Sequence, residues 1–309
     1  MKLGGIPPPA AFTMLFPMAE AKPKPRWRER NFVTEVLIPS LLSRKSGVRP
    51  HTPPIFPKLK DGQICLTWIG HASFLVQTPR LNILIDPNWA NWLLVIRRLK
   101  HAGLALHDLP NIDLVLITHA HFDHLHRPTL RRIAELQPIA VPTGVADLVH
   151  DLGFHRVHEM AWWDTWKFHG LEITFTPAKH WGARRLIDRH RGYGGFALTW
   201  HGRTIYHAGD TAWFDGFREI GTRLRPEIAL LPIGAYENPS GRDHHISPEQ
   251  AMDAFRDLGA QTLIPMHFGT YRMSYEAQHE PPQRLMNAAA RAGLLPQVRF
   301  LTEGMPTVF

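Results

Sequence analysis

The 309-residue chain contains a single cysteine, Cys65. No disulfide can close within it, so covalent stapling has no part in this fold, and a thiolate-rich zinc site is excluded for the same reason. Long apolar runs are missing too: no stretch approaches the roughly 18–20 uninterrupted apolar residues of a membrane-spanning helix. No internal repeat recurs at a fixed short period. No nucleic-acid recognition motif accompanies the formal charge of +8, and a nucleic-acid partner is not expected. Part of that charge lies in Lys22, Lys24, Arg26, Arg28 and Arg30. These read as a solvated basic arm, or as an attraction to anionic lipid or phosphate-bearing substrates. The chain opens Met-Lys and carries a broken apolar run to Met18, followed by Ala19-Glu20-Ala21. Pro7, Pro8, Pro9 and Pro17 interrupt it, which speaks against a signal peptide. The expected location is cytoplasmic, with peripheral membrane contact left open, and export is the alternative.

Histidine, in contrast, is abundant: 20 residues. Before they can be placed, the chain must be divided. Residues 1–59 are rich in proline and basic side chains, and read as an arm packed over a later core; within them "NFVTEVLIPSLL" could form a short helix or strand. From residue 60 the pattern changes. "QICLTWIG", "SFLVQT", "LNILIDP" and the almost wholly apolar "IDLVLITH" are strand-like, the last reading as a central strand. "PTLRRIAEL" has a helical face in Leu130, Ile133, Ala134 and Leu136, with Pro128 suited to a first turn. "KFHGLEITFTPA", "GGFALTWHGRTIYHAGD", "IALLPIG" and "TLIPMHF" follow as strands. "SPEQAMDAFRDLG" reads as a helix capped by Ser247, with Pro248 at its first position and Gly259 at its end, and "PPQRLMNAAARAG" as another. Strands leading, with helices between and after them, predict a layered α/β domain over residues 60–309.

Four of the histidines fall within "THAHFDHLH", residues 118–126. His119, His121, Asp123 and His124 form the pattern H-x-H-x-D-H directly after an apolar strand. On extended backbone His119 and His121 project to the same side, and Asp123 and His124 would face a second point nearby. Imidazole nitrogen and carboxylate oxygen suit zinc. Two ions need further donors, and His180, Asp210 and His267 each follow an apolar strand. Asp210, with two carboxylate oxygens, could bridge.

With these residues in place the sequence resembles the metallo-β-lactamase-fold superfamily of dinuclear metal hydrolases, from about residue 60 to the C-terminus. Within it the chain is most similar to the N-acyl-phosphatidylethanolamine-hydrolysing phospholipase D group, through "TWIGHASFLV", "ILIDP", "THAHFDHL", "AKHW", "HAGDTAWF", "LLPIGAYEN", "HISPEQA", "MHFGT" and "EPPQRL". The resemblance implies a four-layer αβ/βα sandwich. It implies that His119, His121 and His180 hold one metal, that Asp123, His124 and His267 hold the other, and that Asp210 bridges them. The expected cofactor is two Zn2+, and iron or manganese could take the same donors.

Such a pair would share a water whose pKa a single zinc already brings to about 7. The bridging hydroxide would then attack a phosphodiester in line with the leaving oxygen, with Asp123, His124 and Asp210 as the catalytic side chains. A lactonase or a β-lactamase-like amide hydrolase is the alternative, and a small molecule or a lipid the expected substrate. His71 and Asp86, at the ends of early strands, could fix the ligand imidazoles from behind. Trp181, Arg184, Tyr236, His245 and Tyr271 are the substrate-binding candidates, with Glu237, His244 and Arg272 beside them. "NWANWLLVIRR", residues 88–98, reads either as core or as a flap that greets acyl chains or a membrane interface. Sequence fixes no oligomeric state.

Overall fold

The computed structural model describes residues 30–47, 54–184, 188, 190–240 and 243–309. The basic residues Lys22 to Arg28 and the leader-like N-terminus lie outside these. Among the described residues there are fifteen strands, all short. They are β1 (Cys65–Gly70), β2 (Ser73–Gln77), β3 (Asn82–Ile85), β4 (Trp92–Leu93), β5 (Ile96–Arg97), β6 (Leu114–Leu116), β7 (Ile139–Pro142) and β8 (Val157–Met160), then β9 (Thr165–Phe168), β10 (Leu171–Thr176), β11 (Gly195–Trp200), β12 (Arg203–His207), β13 (Ile228–Pro232), β14 (Thr262–Met266) and β15 (Thr307–Val308). One sheet runs β15-β1-β2-β3-β6-β7-β8, the other β14-β13-β12-β11-β10-β9, and β4 and β5 form a separate hairpin. Early strands of each sheet pair antiparallel, whereas β3-β6-β7-β8 and β12-β13-β14 are parallel.

The nearly continuous apolar runs have a simple cause: the first sheet is covered on both faces. Leu66, Phe74, Val76, Ile83, Ile85, Leu114 and Leu116 enter the cluster shared with the second sheet. Their neighbours Ile69, Leu75, Leu84, Val115 and Ile117 enter a different cluster on the outer face. Alternation along each strand thus feeds two cores at once. The outer face of the first sheet is covered by α2 (Arg127–Ile133), through Leu130 and Ile133. On the second sheet lie α3 (Gly216–Leu224), α4 (Pro248–Leu258) and α5 (Glu280–Ala292). The result is the expected four-layer αβ/βα sandwich.

Helix α4 follows its sequence signals. Ser247 and Gln250 form a reciprocal capping box, Pro248 opens the helix, and Gly259 closes it at φ +64°. Helix α2 is shorter than its pattern suggests. It ends at Ile133, Ala134 is already extended, and Leu136 is 84% exposed instead of continuing the apolar face. The N-terminal piece resolves as helix: a π-helical turn at Val33–Leu37 running into α1 (Ile38–Leu42). The 88–98 segment is part core and part surface. Ala90, Leu93 and Ile96 are buried in a small cluster, while Trp92, Leu94 and Val95 are exposed.

Candidate metal centre

The side chains singled out in the sequence sit at one edge of the sandwich, where strands of both sheets end. His71 follows β1, Asp86 follows β3, and His119 to His124 follow β6. His180 follows β10, Asp210 follows β12, and His267 follows β14. Strand ends of two packed sheets are rigid, so the loops leaving them can hold side chains at fixed separations.

Two groups form. His119, His121, His180 and Asp210 place one donor atom each within 4.8 Å of one another, and so do His71, Asp123, His124 and His267. Within the first group His119 Nε2 lies 2.9 Å and His180 Nε2 3.3 Å from His121 Nδ1. Within the second, Asp123 Oδ2 lies 3.5 Å from His124 Nε2 and 3.4 Å from His267 Nε2. Asp210 belongs to both: its Oδ2 is 3.7 and 3.9 Å from His119 and His180 Nε2, and 3.2 and 3.1 Å from His124 and His267 Nε2.

The glycine before Asp210 is required by space. Gly209 has φ +61°, and a Cβ there would stand 2.5 Å from the Gly194 carbonyl oxygen and 3.0 Å from Thr118 Cβ. His207 orders the same turn. Its Nδ1 accepts from the Gly209 N–H at 3.1 Å, so its Nε2 carries the proton and donates to the Ala72 carbonyl at 2.9 Å. Backbone strain collects here as well: His71, Asp86 and His267 all have φ between 45° and 61°, a region that non-glycine residues occupy at some cost and mostly at functional sites.

The electrostatics ask for positive charge between the carboxylates. Burial alone would raise the pKa values of Asp123 and Asp210, but the surrounding imidazoles hold both well below the carboxylate range. Burial likewise opposes charge on His124 and His267. The neighbouring aspartates outweigh it, lifting His124 well above the ordinary histidine value and His267 to about 9. The remaining imidazoles stay neutral: burial drives His119 and His180 well below their usual value and His121 to about 4. Neutral imidazole with a free lone pair is the form that ligates a metal. Several buried atoms also lack any hydrogen bond: His121 Nε2, His124 Nε2, both His267 ring nitrogens and Asp210 Oδ1. Buried polar atoms without partners are rare unless something outside the chain satisfies them. Anionic oxygens, neutral imidazoles and unpartnered atoms together fit a divalent cation.

A further layer fixes these groups. Asp86 Oδ2 meets His124 Nδ1 at 2.6 Å, and Asp86 also accepts from the Thr118 amide and hydroxyl. His71, which burial keeps neutral with a pKa of about 3, donates from Nε2 to Asp123 Oδ2 at 2.9 Å. Asn88 Nδ2 donates to the Asp123 carbonyl at 2.7 Å. Thr118, Asn88 and His207 carry no sequence signal of their own, since a buried threonine, asparagine or histidine is ordinarily structural.

The substrate candidates divide. A cavity of about 660 Å³ opens over the centre, bordered by His121, Asp123 and Asp210 and by Leu93, Leu94, Phe122, Trp181, Met273 and His245. Trp181 packs its ring 4.8 Å from that of His121. His245 stacks on His267 at 5.3 Å and places Nδ1 3.9 Å from Asp210; with Asp210 and His267 it forms a third donor group. Arg184 borders the cavity too, but its Nη1 donates to the carbonyls of Ala120 and Leu125, both at 2.8 Å, bracing the histidine loop. Tyr271 is turned into the protein, its hydroxyl donating to the Ala90 carbonyl at 2.7 Å. Tyr236 donates to Glu280 at 2.8 Å, away from the centre.

Comparison with known proteins agrees with this geometry. The profile of the family described as "Beta-lactamase superfamily domain" matches residues 81–268, more than half of the chain. The chain is 33% identical over 266 residues to the N-acyl-phosphatidylethanolamine-hydrolyzing phospholipase D 1 of Caenorhabditis elegans, covering 79% of this chain and 74% of the relative. It is 34% identical over 221 residues to a metal-dependent hydrolase of Rubrobacter xylanophilus, covering 67% and 82%. Among solved structures, a metallo hydrolase from the archaeon Ignicoccus hospitalis superposes with a TM-score of 0.63 at 28% identity, over 80% of this chain and 98% of that one. The protein belongs to the β-lactamase superfamily and is built on the metallo-β-lactamase fold.

Proposed function

We propose that this protein is a dinuclear, zinc-dependent hydrolase of phosphodiesters, acting on lipids of the N-acyl-phosphatidylethanolamine type. The observation that carries the reading is Asp210 Oδ2, which stands within 3.1 to 3.9 Å of imidazole nitrogens from both histidine groups. A single carboxylate so placed could serve two cations at once. His119, His121 and His180 would hold one ion and Asp123, His124 and His267 the other, with Asp210 between them. Bound there, two divalent ions would supply Lewis acidity and a water that ionises near neutral pH.

The chain's own residues do the rest. Asp86 accepts the proton of His124 Nδ1 and so leaves Nε2 free to face the centre. His71 and Asn88 hold Asp123 by its carboxylate and its carbonyl. His245, neutral with a pKa that burial pushes to about 4, offers a ring nitrogen at the cavity wall to a phosphoryl or leaving-group oxygen. Trp181, Leu93, Leu94, Phe122 and Met273 supply an apolar wall suited to an acyl chain.

The phospholipid reading is supported by the Caenorhabditis elegans relative and by the surface beside the cavity. Ile38, Leu41 and Leu42 on α1, and Trp92, Leu94 and Val95 on the β4–β5 hairpin, are large, apolar and at least 41% exposed. Residues 36–47 and 87–107 contain no aspartate or glutamate but include Arg44, Lys45 and Arg97. An apolar ridge with a cationic rim fits an anionic lipid surface. The test is a substrate panel: an N-acyl-phosphatidylethanolamine, bis(p-nitrophenyl) phosphate, a homoserine lactone and a cephalosporin. The two phosphodiesters should be the better substrates. Faster turnover of the lactone or the cephalosporin would overturn the reading.

A further inference from the structure

The N-terminal helical segment lies outside the matched profile, which begins at residue 81, yet it grips three separate loops. From the 88–98 loop, Arg97 Nη1 donates to the carbonyls of Leu41 and Ser43, both at 3.3 Å, and the Arg97 amide donates to Ser40 Oγ. From the loop after β13, Glu237 accepts from Arg30 Nη1 at 2.9 Å, while Glu35 steadies the same guanidinium at 2.7 Å. From the loop after β14, Arg272 Nε donates to the Glu35 carbonyl at 3.1 Å. The Arg30 guanidinium also lies 4.5 Å from the centre of the Tyr275 ring.

One side chain fills the space between the first of these loops and the third. Val36 is fully buried and shares a cluster with Ala90, Leu93, Tyr271 and Tyr275. Each gripped loop contributes to the cavity wall: Leu93 and Leu94 from the first, Asn238 and Pro239 from the second, Met273 from the third. Phe122 touches the same cluster, but its loop is held independently by the bonds of Arg184 to Ala120 and Leu125.

We infer that this N-terminal segment is the specificity-determining element of the site: Arg30 and Val36 are positioning residues that set the apolar half of the cavity, and so govern binding of chain-bearing substrates. The metal-facing half stands on strand ends and does not depend on them. The inference rests on the proposed hydrolase reading, since it assigns the cavity to a substrate with an acyl chain.

Arg30→Gln and Val36→Ala in the full chain test it, with N-palmitoyl-phosphatidylethanolamine in mixed micelles and bis(p-nitrophenyl) phosphate as substrates. The KM for the palmitoyl lipid should rise about tenfold, corresponding to the loss of one well-packed apolar contact. The kcat for the compact diester should stay within about twofold and metal content should not change. Binding of a fluorescent palmitoyl probe, followed by anisotropy, should weaken in parallel. Arg30→Gln alters a part-exposed residue, so it remains informative if Val36→Ala folds poorly. Equal losses on both substrates, or no change on either, would overturn the inference. Absence of turnover on both diesters by the unaltered protein would count against the hydrolase reading instead, and probe binding would still test the segment.

Discussion

Asp86 Oδ2 and His124 Nδ1 stand 2.6 Å apart, and both side chains are wholly buried. Because the carboxylate also accepts the amide and hydroxyl of Thr118, it cannot swing away, and it fixes the proton of His124 on Nδ1. Asp86→Asn would present an N–H to Nδ1 and favour the opposite tautomer, with Nε2 protonated toward the centre. Metal affinity or kcat/KM should fall about 10- to 100-fold with an unchanged circular dichroism spectrum. An Asn variant with normal metal content and normal turnover would show that the tautomer is set elsewhere.

Gly209 and Gly194 define a contact with no room for a side chain, since a Cβ at Gly209 would lie 2.5 Å from the Gly194 carbonyl oxygen. Gly209→Ala combines that clash with a left-handed backbone, and should destabilise the fold by more than about 1 kcal/mol. Calorimetry measures this directly. An alanine variant as stable as the parent would mean that the turn carrying Asp210 relaxes without resistance.

Away from the centre, Arg203 grips Glu227 through Nε at 2.8 Å and Nη2 at 2.5 Å, and its Nη1 donates to the carbonyls of Gly62 and Phe309. The Arg203 hydrogen bond holds the Glu227 pKa below its ordinary value despite some burial. A depressed folded-state pKa gives stability that is complete above the unfolded value of about 4.3 and is lost as pH falls through the folded value. Glu227→Gln should therefore melt below the parent at pH 7, and the gap should narrow in acid below about pH 4. A gap that stays constant down to pH 3 would mean that the ion pair does not report on folding.

The ridge beside the cavity makes its own prediction. Leu42 is 78% and Val95 56% exposed, so charge can be introduced at either without burying it. Leu42→Glu and Val95→Glu should each weaken co-sedimentation with phosphatidylglycerol vesicles several-fold, the order expected from about 1 kcal/mol per lost interfacial contact. Turnover of bis(p-nitrophenyl) phosphate should be unaffected. Failure of the parent protein to bind anionic vesicles would remove the membrane surface as a partner.

The fold and the grouping of polar residues were legible in the sequence for different reasons. Strands covered on both faces read as apolar runs, and α4 announced itself through Ser247, Pro248 and Gly259. His119 to His124 were visible because four donors crowd one loop, and His180, Asp210 and His267 because each follows a strand. What escaped depends on side-chain direction. Tyr271 and Arg184 sit beside site residues in the chain, but one hydroxyl turns inward to Ala90 and one guanidinium turns back on its own loop. Asn88, Thr118 and His207 act through partners far along the chain, the Asp123 carbonyl, the Asp86 carboxylate and the Ala72 carbonyl, which no local pattern encodes. Leu136 kept a helical period after the helix had ended, since periodicity continues through a turn that the backbone does not.

The most direct test is metal quantitation by elemental analysis on the unaltered protein and on Asp210→Asn, each purified without added metal. The account predicts about two zinc ions per chain in the parent and no more than about one in the variant, because a neutral amide replaces the anionic carboxylate that two cations would share. Two ions retained by the variant, with undiminished hydrolysis, would contradict it.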